Sequence, residues 1–178
     1  EVIFERIVRL KQIRDRYESF EKNKIIQIMS QLRHHLINMD EIDKICKQIN
    51  EHERFIAYGS PTLLNLLFDF QVDMKIFDKT VLLSSVNNGK ILVPKNNDLI
   101  GLFTATGRLL GCCDAKFQEV VLDTKNTKIL FSKSQINSEY IDFSFSMDTD
   151  NDYYEMHYVF LFLFDLIKTR YYELYIKE

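Results

Sequence analysis

The sequence predicts an α+β domain with long N-terminal helices, a mainly antiparallel sheet of five to six strands, and a closing C-terminal helix. In the first 50 residues, apolar side chains recur every three or four positions, which is the period of an amphipathic helix. From residue 71 onward they alternate with polar side chains, which is the pattern of half-exposed strands. Asn87-Asn88-Gly89 stands between two alternating runs, and such residues favour the tight turn of a hairpin.

Length and composition indicate one domain with an appended helical element. The chain has 178 residues, of which 46% are hydrophobic and 28% charged, and these values are ordinary for a globular protein. The few Gly and Pro residues, five and two, favour long regular elements over loops. We therefore divide the chain into a helical arm, residues 1–52, and a globular domain, residues 53–178.

A heptad pattern marks the arm as an interaction element. After a first helix over residues 2–20, a second helix is predicted from Lys24 to Asn50, and its a and d positions are apolar except for one histidine. The predicted interface is Ile25, Ile28, Leu32, His35, Met39, Ile42, Cys46 and Ile49. Such a stripe has to be buried. Its partner is either the first helix, folded back in a hairpin, or a second chain in a coiled coil.

Periodicity and turn residues predict the elements of the globular domain. Ser60 and Pro61 begin a short helix that ends at Phe70, because serine caps helices and proline suits their first position. The predicted strands are 71–76, 80–86, 90–93, 117–122, 128–131 and 140–147, and the last helix covers 153–177. Two segments, 98–113 and 156–164, are left open between helix and strand.

Charge and cysteine content limit the partners and the compartment. The first 50 residues carry ten Lys and Arg against eight Asp and Glu, which lacks the basic excess of a nucleic-acid-binding surface. Cys46, Cys112 and Cys113 do not form a disulfide framework, and neither a signal peptide nor a membrane span is predicted. These features predict a cytoplasmic protein whose partner is a protein, either a second copy or another subunit.

One short segment resembles part of a nuclease core. Asp123-Thr124-Lys125 follows an apolar run and resembles the acid-x-lysine half of the PD-(D/E)xK nucleases. The resemblance implies that Asp114 and Asp123 hold Mg²⁺ and that Lys125 positions a water molecule. The two carboxylates are too close in sequence for the strand and turn that normally separate them. A strand end followed by a polar turn explains the same residues.

A second acidic cluster does not predict a metal site. Asp148, Asp150 and Asp152 alternate as at the start of a calcium loop. Tyr153 and Val159 stand where that loop needs glycine and a carboxylate, so no calcium site is expected. No metal and no cofactor is predicted.

Because no catalytic signature is present, the sequence predicts a non-enzymatic interaction or assembly subunit that uses the arm for self-association or docking. A Mg²⁺-dependent nuclease using Asp114, Asp123 and Lys125 is the first alternative. The second is a small-ligand-sensing regulatory domain with a pocket between the sheet and the last helix, lined by residues 143–164.

Overall fold

A computed structural model describes residues 38–86, 90–111, 114–146 and 153–177, of which 153–156 are described by their backbone only. The chain forms two compact units, Glu1–Ile37 and Asn38–Glu178, and the described residues all belong to the second. Several residues discussed above lie outside the described residues: Ile25, Ile28, Leu32, His35, Cys112, Cys113, Asp148, Asp150 and Asp152. For the first 37 residues the predicted arm stays a prediction.

Five parallel strands form one sheet in the order β2-β1-β3-β4-β5. The strands are β1 (Arg54–Gly59), β2 (Thr80–Ser85), β3 (Asp98–Thr104), β4 (Lys128–Ser132) and β5 (Phe143–Ser146). β1 lies between β2 and β3, and Arg54 is aligned with Thr80 and Asp98. The prediction of a mainly antiparallel sheet is wrong, since all four strand pairs of the described sheet are parallel. This strand order is found in the flavodoxin-like branch of the Rossmann-type doubly wound folds.

Helices cover both faces of the sheet. They are α1 (Met39–Glu51), α2 (Pro61–Leu64), α3 (Phe68–Ile76), α4 (Arg108–Gly111), α5 (Ala115–Phe117) and α6 (Tyr153–Tyr175), with a 3₁₀ turn at Asn65–Leu67 and a π-helical turn at Gln118–Leu122. α1, α2, α3 and α6 pack on one face, where Phe103 stacks on Phe131 with ring centroids 4.7 Å apart and contacts Phe160 and Phe164 of α6. We call this the aromatic face.

The opposite face is covered by shorter elements. The π-helical turn, with α5, buries Phe117, Val121 and Leu122 against sheet residues that include Ile56, Tyr58 and Leu102. Between β2 and β3, residues 90–97 cross this face as an irregular segment, which we call the strap. The Tyr58 hydroxyl donates a hydrogen bond to the Leu92 carbonyl oxygen at 2.7 Å, and this bond fixes the strap to β1.

The sheet is covered by helices and loops on both faces, and this explains why its strands were predicted wrongly from alternation. β3 and β4 are buried at every residue, so these strands need apolar side chains in both directions and do not alternate. Three predicted strands are wrong: 71–76 belongs to α3, 117–122 to α5 and the π-helical turn, and 90–93 to the strap. The open segment 98–113 contains β3 followed by α4.

The predicted helix from Lys24 to Asn50 is not continuous. α1 begins at Met39, and the backbone of Asn38 is extended, with φ −80° and ψ 95°. The side chain of Asn38 accepts a hydrogen bond from the Asp40 N–H at 3.2 Å and thereby caps the helix. The heptad pattern therefore runs across a helix start.

α1 belongs to the core of this unit, so the part of the predicted stripe that lies in α1 is buried within the unit. The predicted interface residues Ile42, Cys46 and Ile49 are all buried, and Met39 is partly exposed. Cys46 Sγ lies 3.5 Å from the carbonyl oxygen of Ile167 in α6. Arg170 of α6 donates two hydrogen bonds to the carboxylate of Asp43, which ties the same two helices together at their surface.

Some local predictions are confirmed. A helix begins at Pro61, and Ser60 Oγ accepts a hydrogen bond from the Leu63 N–H at 3.4 Å. The last helix, including the open segment 156–164, is α6. In the described part of the chain, no helix combines the length and the apolar character needed to cross a bilayer.

Candidate ligand site at the carboxyl edge of the sheet

The topology creates a crevice between the carboxyl ends of β1 and β3. After β1 the chain turns to α2 on the aromatic face, whereas after β3 it turns to α4 on the opposite face. The two strands are neighbours, so the outgoing loops part and leave a gap above the sheet edge. In open α/β sheets such a switch point is where ligands bind.

Hydroxyl side chains gather at this edge, because every strand ends with serine or threonine or is followed by one. They are Ser60 after β1, Ser84 and Ser85 at the end of β2, Thr104 and Thr106 at β3, Ser132 and Ser134 at β4, and Ser144 and Ser146 in β5. Carboxyl ends of parallel strands lie on one side of a sheet, so these side chains share an edge.

The hydroxyls nearest the switch point keep hydrogen-bonding capacity for a ligand. Ser60 Oγ accepts a bond from Leu63 N–H, which leaves its own O–H free to donate. Thr104 is 6% exposed and Thr106 is exposed, and neither hydroxyl makes a hydrogen bond within the described part of the chain. A ligand in the crevice would therefore meet hydroxyl donors that make no hydrogen bond with the described residues.

The loops after β3 and β4 are held against each other beside the crevice. Gly107 has a left-handed φ of +76°, and a Cβ there would lie 2.8 Å from Ile136 Cδ1, so glycine meets both the conformational and the spatial demand. The Lys133 N–H donates to the Ala105 carbonyl oxygen at 3.4 Å. These contacts place Arg108, the first residue of α4, and Lys133 on neighbouring loops.

The amino edge of the sheet differs, because its polar groups are bonded to one another. Arg54 Nε donates to Asp98 Oδ1 at 2.7 Å, and Asp98 also accepts a bond from the Lys95 N–H. The Asn126 amide donates to the carbonyl oxygens of Lys95 and Asp98. The Lys128 ammonium donates to two backbone carbonyl oxygens in the turn before β4.

These contacts shift the pKa values of the amino-edge groups. Burial raises the pKa of Asp98, but the hydrogen bonds from Arg54 and the Lys95 N–H outweigh it, so the pKa lies below its ordinary value. Burial lowers the pKa of the Lys128 ammonium, and the charges of Asp142 and Asp123 offset only part of that effect. The polar groups of this edge therefore serve the fold.

The residues predicted for a nuclease do not assemble a metal site. Asp114 caps α5, because its carboxylate accepts a bond from the Phe117 N–H at 2.7 Å. Asp123 and Lys125 line a cleft at the amino edge that does not include Asp114. No group of three or more His, Cys, Asp or Glu residues in the described ranges could hold a metal ion. The nuclease alternative is wrong.

The pocket predicted between the sheet and the last helix is also absent from the described core. Phe145, Phe160 and Phe164 are each no more than 3% exposed, and they fill that space with ring contacts. The site at the carboxyl edge was missed. Its signal in the sequence is the recurrence of Ser or Thr directly after apolar runs, as in Tyr58-Gly59-Ser60 and Phe103-Thr104-Ala105-Thr106-Gly107.

Solved structures share this fold, although no protein-family model and no curated protein matches the chain. A Methanococcus jannaschii protein, from whose structure the function of a 3-hexulose-6-phosphate isomerase was inferred, is 14% identical with a TM-score of 0.64, over 85% of this chain and 86% of that one. A Bacteroides fragilis protein described as a phosphosugar isomerase involved in capsule formation is 12% identical with a TM-score of 0.64. The match covers 85% of this chain and 88% of that one.

The NanR protein of Vibrio vulnificus, complexed with ManNAc-6P, is 10% identical with a TM-score of 0.66, over 94% of this chain and 68% of that one. At these identities the similarity shows the fold, which is Rossmann-like and shared with sugar isomerase domains. Together with the burial of α1, it overturns the prediction of a coiled-coil assembly subunit.

Proposed function

We propose that the unit Asn38–Glu178 binds a sugar phosphate in the crevice between the carboxyl ends of β1 and β3. The observation that carries the proposal is the contrast between the two edges of the sheet. Polar groups at the amino edge are bonded to one another, whereas the hydroxyls of Thr104 and Thr106 at the carboxyl edge make no hydrogen bond to any described residue. Unused donors at a topological switch point are what an anionic, hydroxyl-rich ligand needs.

The chemistry of the crevice suits a phosphate group and a sugar. Threonine and serine O–H groups donate to phosphate oxygens and can accept from sugar hydroxyls. In the three loops 59–62, 104–108 and 132–138 the charged residues are Arg108 and Lys133, both basic, although the whole chain has a net charge of −3. The charge of these three loops therefore favours anions.

The structural neighbours support the choice of sugar phosphate among anionic ligands. Two carry the names of phosphosugar or hexulose-phosphate isomerases and one is complexed with ManNAc-6P. Isomerisation would also need a base that moves a proton between adjacent carbons. Loops 59–62, 104–108 and 132–138 contain neither a carboxylate nor an imidazole, so binding is the function we propose.

Calorimetric titration of the full chain tests this. N-acetylmannosamine 6-phosphate, glucose 6-phosphate and arabinose 5-phosphate are compared with the unphosphorylated sugars and with inorganic phosphate. We expect at least one phosphorylated sugar to bind, and its unphosphorylated form to bind at least tenfold more weakly. Absence of binding by every sugar phosphate tried, or equal binding with and without phosphate, would contradict the proposal.

Matched variants locate the site. Thr106→Val removes a hydroxyl and keeps the side-chain shape, and Thr80→Val does the same at the amino end of β2 as a control. Because a hydrogen bond to a charged group is worth about 1.5–3 kcal/mol, Thr106→Val should weaken binding roughly 10- to 100-fold. Thr80→Val should leave it unchanged. Equal effects of the two variants would remove the carboxyl edge as the site.

A charged variant at Ser60 separates binding from folding. Aspartate caps helices as well as serine does, so Ser60→Asp should keep the start of α2 intact. It also places a negative charge at the crevice, where we expect it to repel the phosphate. Retained thermal stability with lost binding supports the proposal, and retained binding contradicts it.

A further inference from the structure

Resting on the proposed function, we infer that the sugar phosphate carries a second anionic group, a carboxylate or a second phosphate, which Arg108 and Lys133 bind. This names a substrate class within the sugar phosphates. It follows from two basic side chains on neighbouring loops, neither of which makes an ion pair within the described residues.

Arg108 has no partner for its charge in the described part of the chain. Of the three described arginines, Arg54 pairs with Asp98, and Arg170 pairs with both Asp43 and Glu173. Arg108 makes no such pair within the described residues, and it is exposed. The guanidinium is therefore available, and its planar donors suit a carboxylate or a phosphate.

Lys133 stands in the same position on the neighbouring strand. It follows β4 directly, and β4 is paired with β3. Its side chain is half-buried and, like Arg108, has no ion pair in the described ranges. Other half-buried or buried lysines are bonded within the fold: Lys79 and Lys128 donate to backbone carbonyls, and Lys168 pairs with Asp73.

The loops that carry the two cations are held together. The Lys133 N–H bonds to the Ala105 carbonyl, and Gly107 packs on Ile136. Rigid placement lowers the entropic cost of binding an anion between the loops. Thr104 and Thr106 belong to the same loop region as Arg108, so the hydroxyls and the cations can bind two anionic groups of one ligand.

The hydroxyls can hold one phosphate without the cations. Neutral O–H donors satisfy phosphate oxygens in many sites, and Thr104, Thr106 and Ser60 supply three at the switch point. A phosphate held by these neutral donors leaves the two basic side chains, Arg108 and Lys133, for a further anion. A second anionic group on the same sugar accounts for them.

Pairs of ligands that differ in one anionic group test the inference by calorimetric titration. Glucose 6-phosphate is compared with 6-phosphogluconate, and fructose 6-phosphate with fructose 1,6-bisphosphate, at a fixed salt concentration near 150 mM because charge effects depend on salt. We expect the doubly anionic member to bind about tenfold or more tightly, as a charge-assisted hydrogen bond is worth at least that ratio.

Charge-neutral variants assign the effect to the two cations. Arg108→Gln and Lys133→Gln should each reduce the preference for the doubly anionic member by about tenfold and affect the monophosphate much less. Lys125→Gln, at the amino edge, is the control and should keep the preference. Thermal unfolding of each variant verifies that it is folded.

The outcomes separate the two proposals. Binding of monophosphates with no preference for a second anionic group overturns the inference and leaves the proposed function standing. A lack of binding by all four ligands, together with those named earlier, overturns the proposed function. Arg108→Gln and Lys133→Gln could instead weaken the singly and the doubly anionic ligand by the same factor. That result would show that the cations bind the sugar's phosphate itself, and it would also overturn the inference.

Discussion

The ring of Phe55 lies against Gly101 across the two neighbouring strands β1 and β3. A Cβ at residue 101 would be 2.5 Å from Phe55 Cζ and 2.9 Å from Phe103 Cε2. Phe55 in turn contacts Phe70 of α3 edge to face, with ring centroids 6.4 Å apart. The missing side chain of one residue thus makes room for the aromatic packing that holds the helices on the sheet.

We expect Gly101→Ala to destabilise the fold. The added methyl group collides with two rings in a packed core, and such overpacking costs about 1–3 kcal/mol. Chemical denaturation measures the change in the free energy of unfolding. Gly111→Ala is the matched control, because a Cβ at Gly111 meets no atom within 4 Å.

A second-site change tests the cause. In Phe55→Leu the ring that collides with the new methyl group is gone, so the double variant Phe55→Leu with Gly101→Ala should lose less stability than the two single changes predict together. Additive losses would show that the cost of Gly101→Ala arises elsewhere.

We expect the Arg54–Asp98 pair to make stability depend on acid pH. Asp98 is 1% exposed, and its pKa lies below the ordinary value of 3.8. The pair therefore stabilises the fold fully at pH above about 4, and this contribution is lost as the pH falls through the lowered pKa. Asp98→Asn should cost about 3 kcal/mol at pH 7, because it leaves Arg54 without its buried partner.

Unfolding measured between pH 7 and pH 2 tests this prediction. The wild type should lose more stability over that range than Asp98→Asn does, since the variant lacks the titrating group. Equal losses of stability in the wild type and in Asp98→Asn would contradict the prediction. Asp142→Asn is a suitable control for the general effect of removing a carboxylate at the same edge.

Features of this fold that depend on a few neighbouring residues were predicted well from the sequence. Ser60 and Pro61 start a helix because capping and the proline φ angle act within a few residues. Strand direction is not local. β2 was predicted to pair with residues 90–93, which are near in sequence, but it pairs with β1 in a parallel register.

The alternation of apolar and polar residues also predicted burial poorly. Val72, Met74 and Ile76 predicted a strand with one buried face. In α3 only Met74 of the three is buried, because it lies four residues from Phe70, while Val72 is 51% and Ile76 73% exposed. Apolar side chains on a protein surface are common, so period two in a short run does not define a strand.

The candidate site could not be predicted because its parts are distant in sequence. Ser60, Thr104 and Ser132 are separated by tens of residues, and they meet only because three strands run parallel and end at one edge. In the predicted antiparallel sheet no strand preceded Ser60, and the segment that contains Thr104 was left open between helix and strand. The errors in the predicted strands therefore concealed the site.

Ile42→Asp should unfold the unit rather than dissociate an assembly. Ile42 is fully buried in α1, and an unpaired carboxylate there has no compensating partner. We expect a loss of several kcal/mol, enough to lower the folded fraction at 37 °C. Lys47→Asp, on the exposed side of the same helix, should cost about 0.5 kcal/mol. A folded but dissociated Ile42→Asp protein in analytical ultracentrifugation would contradict the prediction.

Tyr58→Phe should loosen the strap without unfolding the sheet. The ring stays in the core, where it contacts Phe117, but the bond from the hydroxyl to the Leu92 carbonyl is lost. That loss costs about 1 kcal/mol. Ser84→Ala removes the other anchor, the bond from the Leu92 N–H to Ser84 Oγ at 3.1 Å.

Because both bonds fix the same residue, their effects should be coupled. Once one anchor is lost, the strap already departs from its native position, and losing the second costs less than it does alone. Limited proteolysis and hydrogen exchange within residues 90–97 measure this directly, and both rates should rise in each single variant. Unchanged rates in Tyr58→Phe, or strictly additive effects in the double variant, would show that the strap is fixed by its apolar contacts instead.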